Sequence, residues 1–267
     1  MIIKQIVLLL LFVISLVVIS IYIFQRHLIY FPDPHKPKLI QFHAEDMSLV
    51  QLHTKDKLEL TAWYKAANKG KPTVLYLHGN AGHIGYRMPV VRPFLERGYG
   101  VLLLEYRGYG ANPGKPSEKG LYLDAEAGFE FLSQHGVASH QLVIYGESLG
   151  TGVATYLASK YPVCALVLQT PFTSLVSLTQ YHYPFLFIKP WDRFESLERI
   201  KQINAPLLVL HGKRDSIVPY EEGLAIFNAA HEPKKMLTFE DKNHNDLWTS
   251  VDFAPEVIRF IDGYCVE

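Results

Sequence analysis

Residues 142–160 read LVIYGESLGTGVATYLASK, and the reading of the fold turns on them. Four bulky apolar residues open the stretch, a length that suits a buried strand better than a helix. The chain then passes through Gly146-Glu147-Ser148-Leu149-Gly150 and continues as a helix-compatible run over 151–160. A G-x-S-x-G between a strand and a helix puts the serine on a sharp, strained turn with its hydroxyl exposed at the carboxyl edge of a sheet, and the flanking glycines leave room for that turn. Ser148 is therefore the candidate nucleophile; the alternative is an ordinary turn of small residues. The backbone N–H of Leu149, at the first position of the helix, has no intrahelical acceptor and can receive a developing oxyanion.

Outward from this point, short apolar runs recur at wide intervals: 73–77 (TVLYL), 101–105 (VLLLE), 165–168 (ALVL) and 207–210 (LLVL). Continuous rather than alternating hydrophobicity means burial on both faces, the pattern of central strands in a parallel sheet covered by helices. The intervals contain stretches long enough for crossover helices, at 88–97, 121–135 and 149–160. Two β-prone stretches, 47–52 and 58–64, flank a polar turn and read as an opening hairpin. A last strand near 235–239 and a closing helix near 254–264 complete a doubly wound α/β sandwich with a mostly parallel sheet.

The glycine-rich His78-Gly79-Asn80-Ala81-Gly82 follows the first parallel strand, so its backbone can approach a ligand. The N–H of Asn80 is the expected second oxyanion donor, and His78 is expected to make a structural hydrogen bond. A serine hydroxyl also needs a neutral imidazole beside it and a carboxylate behind that imidazole. Asp215 lies in the loop after the 207–210 strand, and His244 lies between the last strand and the closing helix. The order Ser148, Asp215, His244 is that of a strand-to-helix serine triad. Asp192, Asp241 and Asp246 are alternative acids, with Asp246 expected to brace the histidine loop or cap a helix. Arg107 and Arg214 stand near strand ends, where pairing with local acids is the simplest expectation.

Residues 6–24, IVLLLLFVISLVVISIYIF, contain no charge and no proline. At ~1.5 Å per residue they cross the ~30 Å hydrocarbon layer with little tilt. A secretory signal has a shorter apolar core and a small-residue cleavage site, whereas Gln25, Arg26 and His27 follow here. The expected organisation is an anchor over 1–27, a proline-containing extended connector over 28–45 close to the membrane, and one α/β domain over 46–267. Lys4 on one flank against Arg26, Lys36 and Lys38 on the other leans toward a single-pass protein with a cytoplasmic domain.

Composition narrows the partners. Twenty-six basic and 26 acidic residues cancel, leaving no field of one sign to hold a nucleic-acid backbone, so nucleic acid is not an expected partner. Cys164 and Cys265 are too few for a disulfide framework and lie in no metal-binding spacing, which reads as one core thiol and one tail thiol. No metal or organic cofactor is expected, and nothing in the sequence speaks to oligomeric state.

From about residue 60 onward the chain resembles the membrane-anchored branch of the α/β-hydrolase superfamily, which includes eukaryotic protein depalmitoylases and bacterial serine-aminopeptidase-like hydrolases. The resemblance rests on HGNAG at 78–82, EYRGYGANPGKPSEKGLYLDAEA at 105–127, GESLGTGVA at 146–154, TPFTS at 170–174, HGKRDSIVP at 211–219 and NHNDLW at 243–248. It implies Ser148 as nucleophile, Asp215 as acid and His244 as base, with Asn80 and Leu149 forming the oxyanion hole. One departure is the absence of the cysteine-rich N-terminus that palmitoylated depalmitoylases use for attachment; an apolar helix stands in its place.

Lids of this fold follow the strand that here ends at Thr170-Pro171. Residues 172–205 leave space only for a small cap, and the aromatic stretch 181–191 within it is expected to line an acyl pocket, touch the bilayer or pack on the domain. The expected activity is hydrolysis of an ester or thioester of a lipid-like acyl substrate through an acyl-enzyme on Ser148. A peptidase-type amidase, and a non-enzymatic receptor or scaffold on the same fold, are the alternatives.

Overall fold

The computed structural model describes residues 2–185 and 189–265. Leu186, Phe187 and Ile188 of the aromatic stretch, with Met1, Val266 and Glu267, lie outside the described residues. The first element, α1 (Ile2–Ile29), is a single apolar helix and a candidate membrane span. Its side chains stay exposed as far as Ser20, Ile21 is half-buried, and Gln25 is the one buried residue of the helix. Up to Ser20 the helix thus has no protein to pack on, as expected of a surface meant for lipid, and only its last turns, from Ile21 and Tyr22 on, meet the domain.

Eight strands follow: β1 (Ser48–His53), β2 (Glu59–Lys65), β3 (Thr73–Leu77), β4 (Gly100–Leu104), β5 (Leu142–Glu147), β6 (Ala165–Gln169), β7 (Leu207–Gly212) and β8 (Lys234–Phe239). They form one sheet in the order β1-β2-β4-β3-β5-β6-β7-β8. β1 and β2 are antiparallel, β2 joins β4 antiparallel, and the rest of the sheet is parallel. The apolar runs are buried on both faces because alternate side chains enter two cores. On β3, Leu75 and Leu77 join one core while Val74 and Tyr76 join the other.

Helices α2 (Met88–Glu96) and α8 (Phe253–Cys265) cover one face. Helices α3 (Glu118–Gln134), α4 (Leu149–Lys160), α6 (Ser196–Ile200) and α7 (Tyr220–Ala229) cover the other, and α5 (Leu175–His182) lies between β6 and α6 in the small cap. Ser117 and Ser174 start α3 and α5 by accepting the N–H groups of Gly120 and Ser177, each at 3.1 Å.

Two expectations need correction. Residues 28–45 do more than connect: α1 runs on to Ile29, Phe31–Pro32 pairs in parallel with Ala81–Gly82, and Tyr30 and Ala44 are buried. Among the prolines regular structure is confined to short pieces, the Phe31–Pro32 strand and a 3₁₀ turn at Leu39–Phe42, yet the apolar residues still find the domain surface. Cys164 and Cys265 are not free thiols but a disulfide, with Cα atoms 5.6 Å apart. The bond ties the end of α8 to the start of β6. With the cysteines 101 positions apart, no local spacing announces the pairing.

Candidate active site

Ser148 stands between β5 and α4 with φ 50° and ψ −117°, a region that a residue with a Cβ occupies only when its surroundings enforce it. Here they do. The Ser148 N–H donates to the Gln169 carbonyl at 2.9 Å, and both flanking glycines are pressed on by backbone. A Cβ on Gly146 would fall 2.7 Å from the Gly150 carbonyl oxygen, and one on Gly150 would collide with the Leu77 carbonyl. The turn is therefore wedged against β3, with the hydroxyl held outward.

His244 Nε2 lies 2.8 Å from Ser148 Oγ, and its Nδ1 lies 2.7 Å from Asp215 Oδ2. The structure thus brings the three sequence-predicted side chains into one hydrogen-bonded chain. Asp215 Oδ1 also accepts the N–H groups of Ile217 and Val218 at 2.9 and 2.8 Å. Burial pushes the Asp215 carboxyl up, but hydrogen bonds from His211 and His244 and the backbone outweigh it and hold the group below the usual carboxylate range. An ionised carboxylate there fixes Nδ1–H on the imidazole and leaves Nε2 free to accept the serine proton.

Two residues that the sequence reading did not single out position this chain. Asn243 Oδ1 accepts the N–H of Ser216 at 3.0 Å and that of His244 at 2.7 Å, joining the acid loop to the base loop. His211, fully buried at the end of β7, lies with Nε2 2.9 Å from the Val218 carbonyl and 3.5 Å from Asp215 Oδ2. The adjacency of Asn243 to His244 and of His211 to a strand end were the available signals. Asp246 accepts the Asn243 N–H at 2.7 Å and so braces the histidine loop. Asp192 is engaged with Arg26 and Tyr30 instead.

Beneath the serine, Glu147 forms a two-bond pair with Arg87, both at 3.1 Å, and accepts from the Tyr76 hydroxyl at 2.8 Å. Burial pushes the Glu147 carboxyl up, but the Arg87 charge together with the hydrogen bonds from Arg87 and Tyr76 outweighs it, so the group lies below its ordinary range. Both Arg87 and Glu147 lie next to Gly79, which couples the serine turn to the 78–82 loop. His78 is buried, its Nδ1 2.8 Å from the Gly79 carbonyl and its Nε2 3.1 Å from Glu105. Arg107 pairs with Asp56 and Asp124 on the far side of the same loop cluster.

Asn80, Ser148 and Leu149 border a cleft of about 190 Å³ whose remaining walls are largely apolar. Phe172, Leu175 and Leu178 come from the cap, Ile217 and Val218 from the acid loop, and Leu28 and Ile29 from the end of α1. His182, Tyr183 and Pro190 of the aromatic stretch also face it. Asn80 is fixed by three bonds: its carbonyl accepts from Phe31 N–H at 2.9 Å and Tyr109 hydroxyl at 2.7 Å, and its Nδ2 donates to the Ile29 carbonyl at 2.9 Å. No cluster of metal-ligating side chains occurs among the described residues.

A model of the alpha/beta hydrolase fold matches residues 72–194. The Mycobacterium tuberculosis protein Rv2307c, itself uncharacterized, is 40% identical over 239 residues, which cover 86% of this chain and 84% of that one. Human alpha/beta hydrolase domain-containing protein 17B is 33% identical over 203 residues, covering 74% of this chain and 68% of its own. Among solved structures, the Pyrococcus furiosus esterase Pf2001 superposes with a TM-score of 0.73 at 22% identity, over 89% of this chain and 99% of that one. That last likeness is one of fold.

Proposed function

The chain belongs to the α/β-hydrolase family, and from that premise we propose a membrane-tethered serine hydrolase that cleaves ester or thioester bonds of lipid-like acyl substrates. The observation that carries this reading is the continuous chain from Ser148 through His244 to Asp215, opening onto an apolar cleft.

In this reading Ser148 Oγ attacks the acyl carbonyl carbon while His244 Nε2 takes the hydroxyl proton. The carbonyl π pair moves onto oxygen, and the N–H groups of Asn80 and Leu149 receive that charge. Collapse of the tetrahedral species breaks the bond to the alcohol or thiol, which leaves with the proton from His244. Water then attacks the acyl-enzyme, giving its proton to His244, and collapse of the second tetrahedral species breaks the bond to Ser148 Oγ, which takes that proton back as the acid is released. Asp215 keeps its negative charge throughout and stabilises the imidazolium.

Two observations bear on the side of the membrane, and they oppose each other. The charges flanking α1 lean toward a cytoplasmic domain by one or two residues. The Cys164–Cys265 disulfide favours an oxidising, extracytoplasmic side, because thiols are kept reduced in the cytosol. The disulfide is the stronger support of the two, and we propose the oxidising side for the domain.

Hydrolysis of p-nitrophenyl esters of increasing acyl length, by wild type and Ser148→Ala, tests the reaction. Turnover that rises with acyl length to an optimum and vanishes in the variant supports it. Absence of turnover in folded wild type overturns it.

A further inference from the structure

We propose that the active-site cleft opens at the lipid surface and takes the acyl chain of a membrane lipid ester directly from the bilayer. The end of α1 forms part of the cleft wall. The inference rests on the serine-hydrolase reading for its chemistry, but its geometry is independent of it.

The first observation is where the span ends. The uncharged segment of α1 closes at Phe24, and Gln25 is already buried against the domain. Leu28 and Ile29, which line the cleft, lie about 6–8 Å further along the helix axis. The polar layer of each leaflet is itself roughly 5–8 Å deep, so the cleft wall sits within it. No flexible linker separates membrane from site.

The second is that the helix end is bolted to the domain. The Trp191 N–H donates to Gln25 Oε1 at 2.6 Å. Arg26 Nε and Nη2 donate to the buried Asp192 carboxylate at 3.0 and 3.1 Å, and the Tyr30 hydroxyl donates to it at 2.9 Å. The Asn80 side chain holds the Ile29 carbonyl. Fixing α1 across a bilayer therefore fixes the direction in which the cleft faces.

The third is the rim. Tyr181, Tyr183, Phe185 and Trp191 are 63, 64, 89 and 44% exposed, an apolar patch with no protein over it in the described residues. Trp191 meets Tyr22 of the span edge-on, with ring centroids 5.2 Å apart, and lies under the Arg26 guanidinium. The patch is thus continuous with the membrane helix. Aromatic side chains with one polar tip favour the headgroup level of a bilayer, whereas such a patch in water is unfavourable. The bilayer interface is the occupant that fits both the rim and the span.

The test uses the full chain reconstituted into dioleoylphosphatidylcholine vesicles, with and without phosphatidylcholine brominated near the headgroup end of its acyl chains. In a Trp248→Phe background, which removes the other exposed tryptophan, bromolipid should quench part of the tryptophan fluorescence, and Trp191→Phe should abolish that part, since the remaining Trp63 is buried in the core. In parallel, the double variant Tyr181→Glu, Phe185→Glu should lower turnover of a long-chain ester dissolved in the vesicles by on the order of tenfold. Its turnover of a water-soluble butyrate ester should not change. Quenching that survives Trp191→Phe unaltered, or a parallel fall on both esters, overturns the proposal. Trp191-dependent quenching without turnover of either ester by wild type removes the hydrolase reading and leaves the lipid-facing surface standing.

Discussion

Arg26, the last cation of the apolar helix, is joined by two hydrogen bonds of 3.0 and 3.1 Å to Asp192, a buried carboxylate 166 residues away. Burying a carboxylate is unfavourable unless it is paired, and Tyr30 supplies a third donor. Asp192→Ala leaves the buried Tyr30 hydroxyl without this acceptor, at a cost of about 1–3 kcal/mol. Thermal unfolding in detergent should register it as a loss of about 2–4 °C per kcal/mol. An unchanged midpoint would mean that the helix end is not held as described.

Asp215→Asn tests the acid separately from the fold. Asparagine can keep one backbone contact but supplies no charge and allows the wrong imidazole tautomer. Turnover of a soluble ester should fall by on the order of 10⁴ in kcat with little change in KM. A fall in KM-dependent binding alone would assign Asp215 to packing.

The pH dependence follows from the depressed Asp215 carboxyl. Its folded value lies below the ordinary 3.8, so the group stays ionised as the medium turns mildly acid. Its contribution to stability is present above 3.8 and is lost only as the pH falls through the lower folded value. Over mildly acid pH Asp215 therefore takes up no proton, and it should not steepen the logarithmic acid limb of kcat/KM beyond a slope of one. A slope of two would put a second titrating group in the mechanism.

The disulfide closes a loop of 101 residues. Replacing both Cys164 and Cys265 with serine should lower stability by about 2–5 kcal/mol, read from urea unfolding. Protein drawn from its native membrane under alkylating conditions should carry no alkylated cysteine until a reductant is added. Full alkylation without reductant would overturn the proposal that the domain lies on the oxidising side.

The features legible in the sequence are those with local signatures. The buried strands announce themselves as apolar runs, and Ser148 and Asp215 each follow one of them, while His244 follows the half-buried edge strand β8. The hidden features depend on contacts that only the fold creates. Asp192 reads as a spare acid until Arg26 and Tyr30 are seen beside it, and two isolated cysteines carry no pairing signal. Helices α5, α6 and α7 are not singled out in the sequence reading: α5 and α6 have only 8 and 5 residues. The 28–45 segment reads as a connector because its prolines mask the apolar contacts of Tyr30 and Ala44.

The most direct measurement of the central claim is the site of reaction with a fluorophosphonate, located by peptide mass mapping of the full-length protein. One adduct on the peptide containing Ser148, absent after Ser148→Ala and strongly reduced in His244→Gln, is the predicted result. A folded protein that takes no adduct, or that takes it at another residue, would contradict the assignment of Ser148 as the nucleophile.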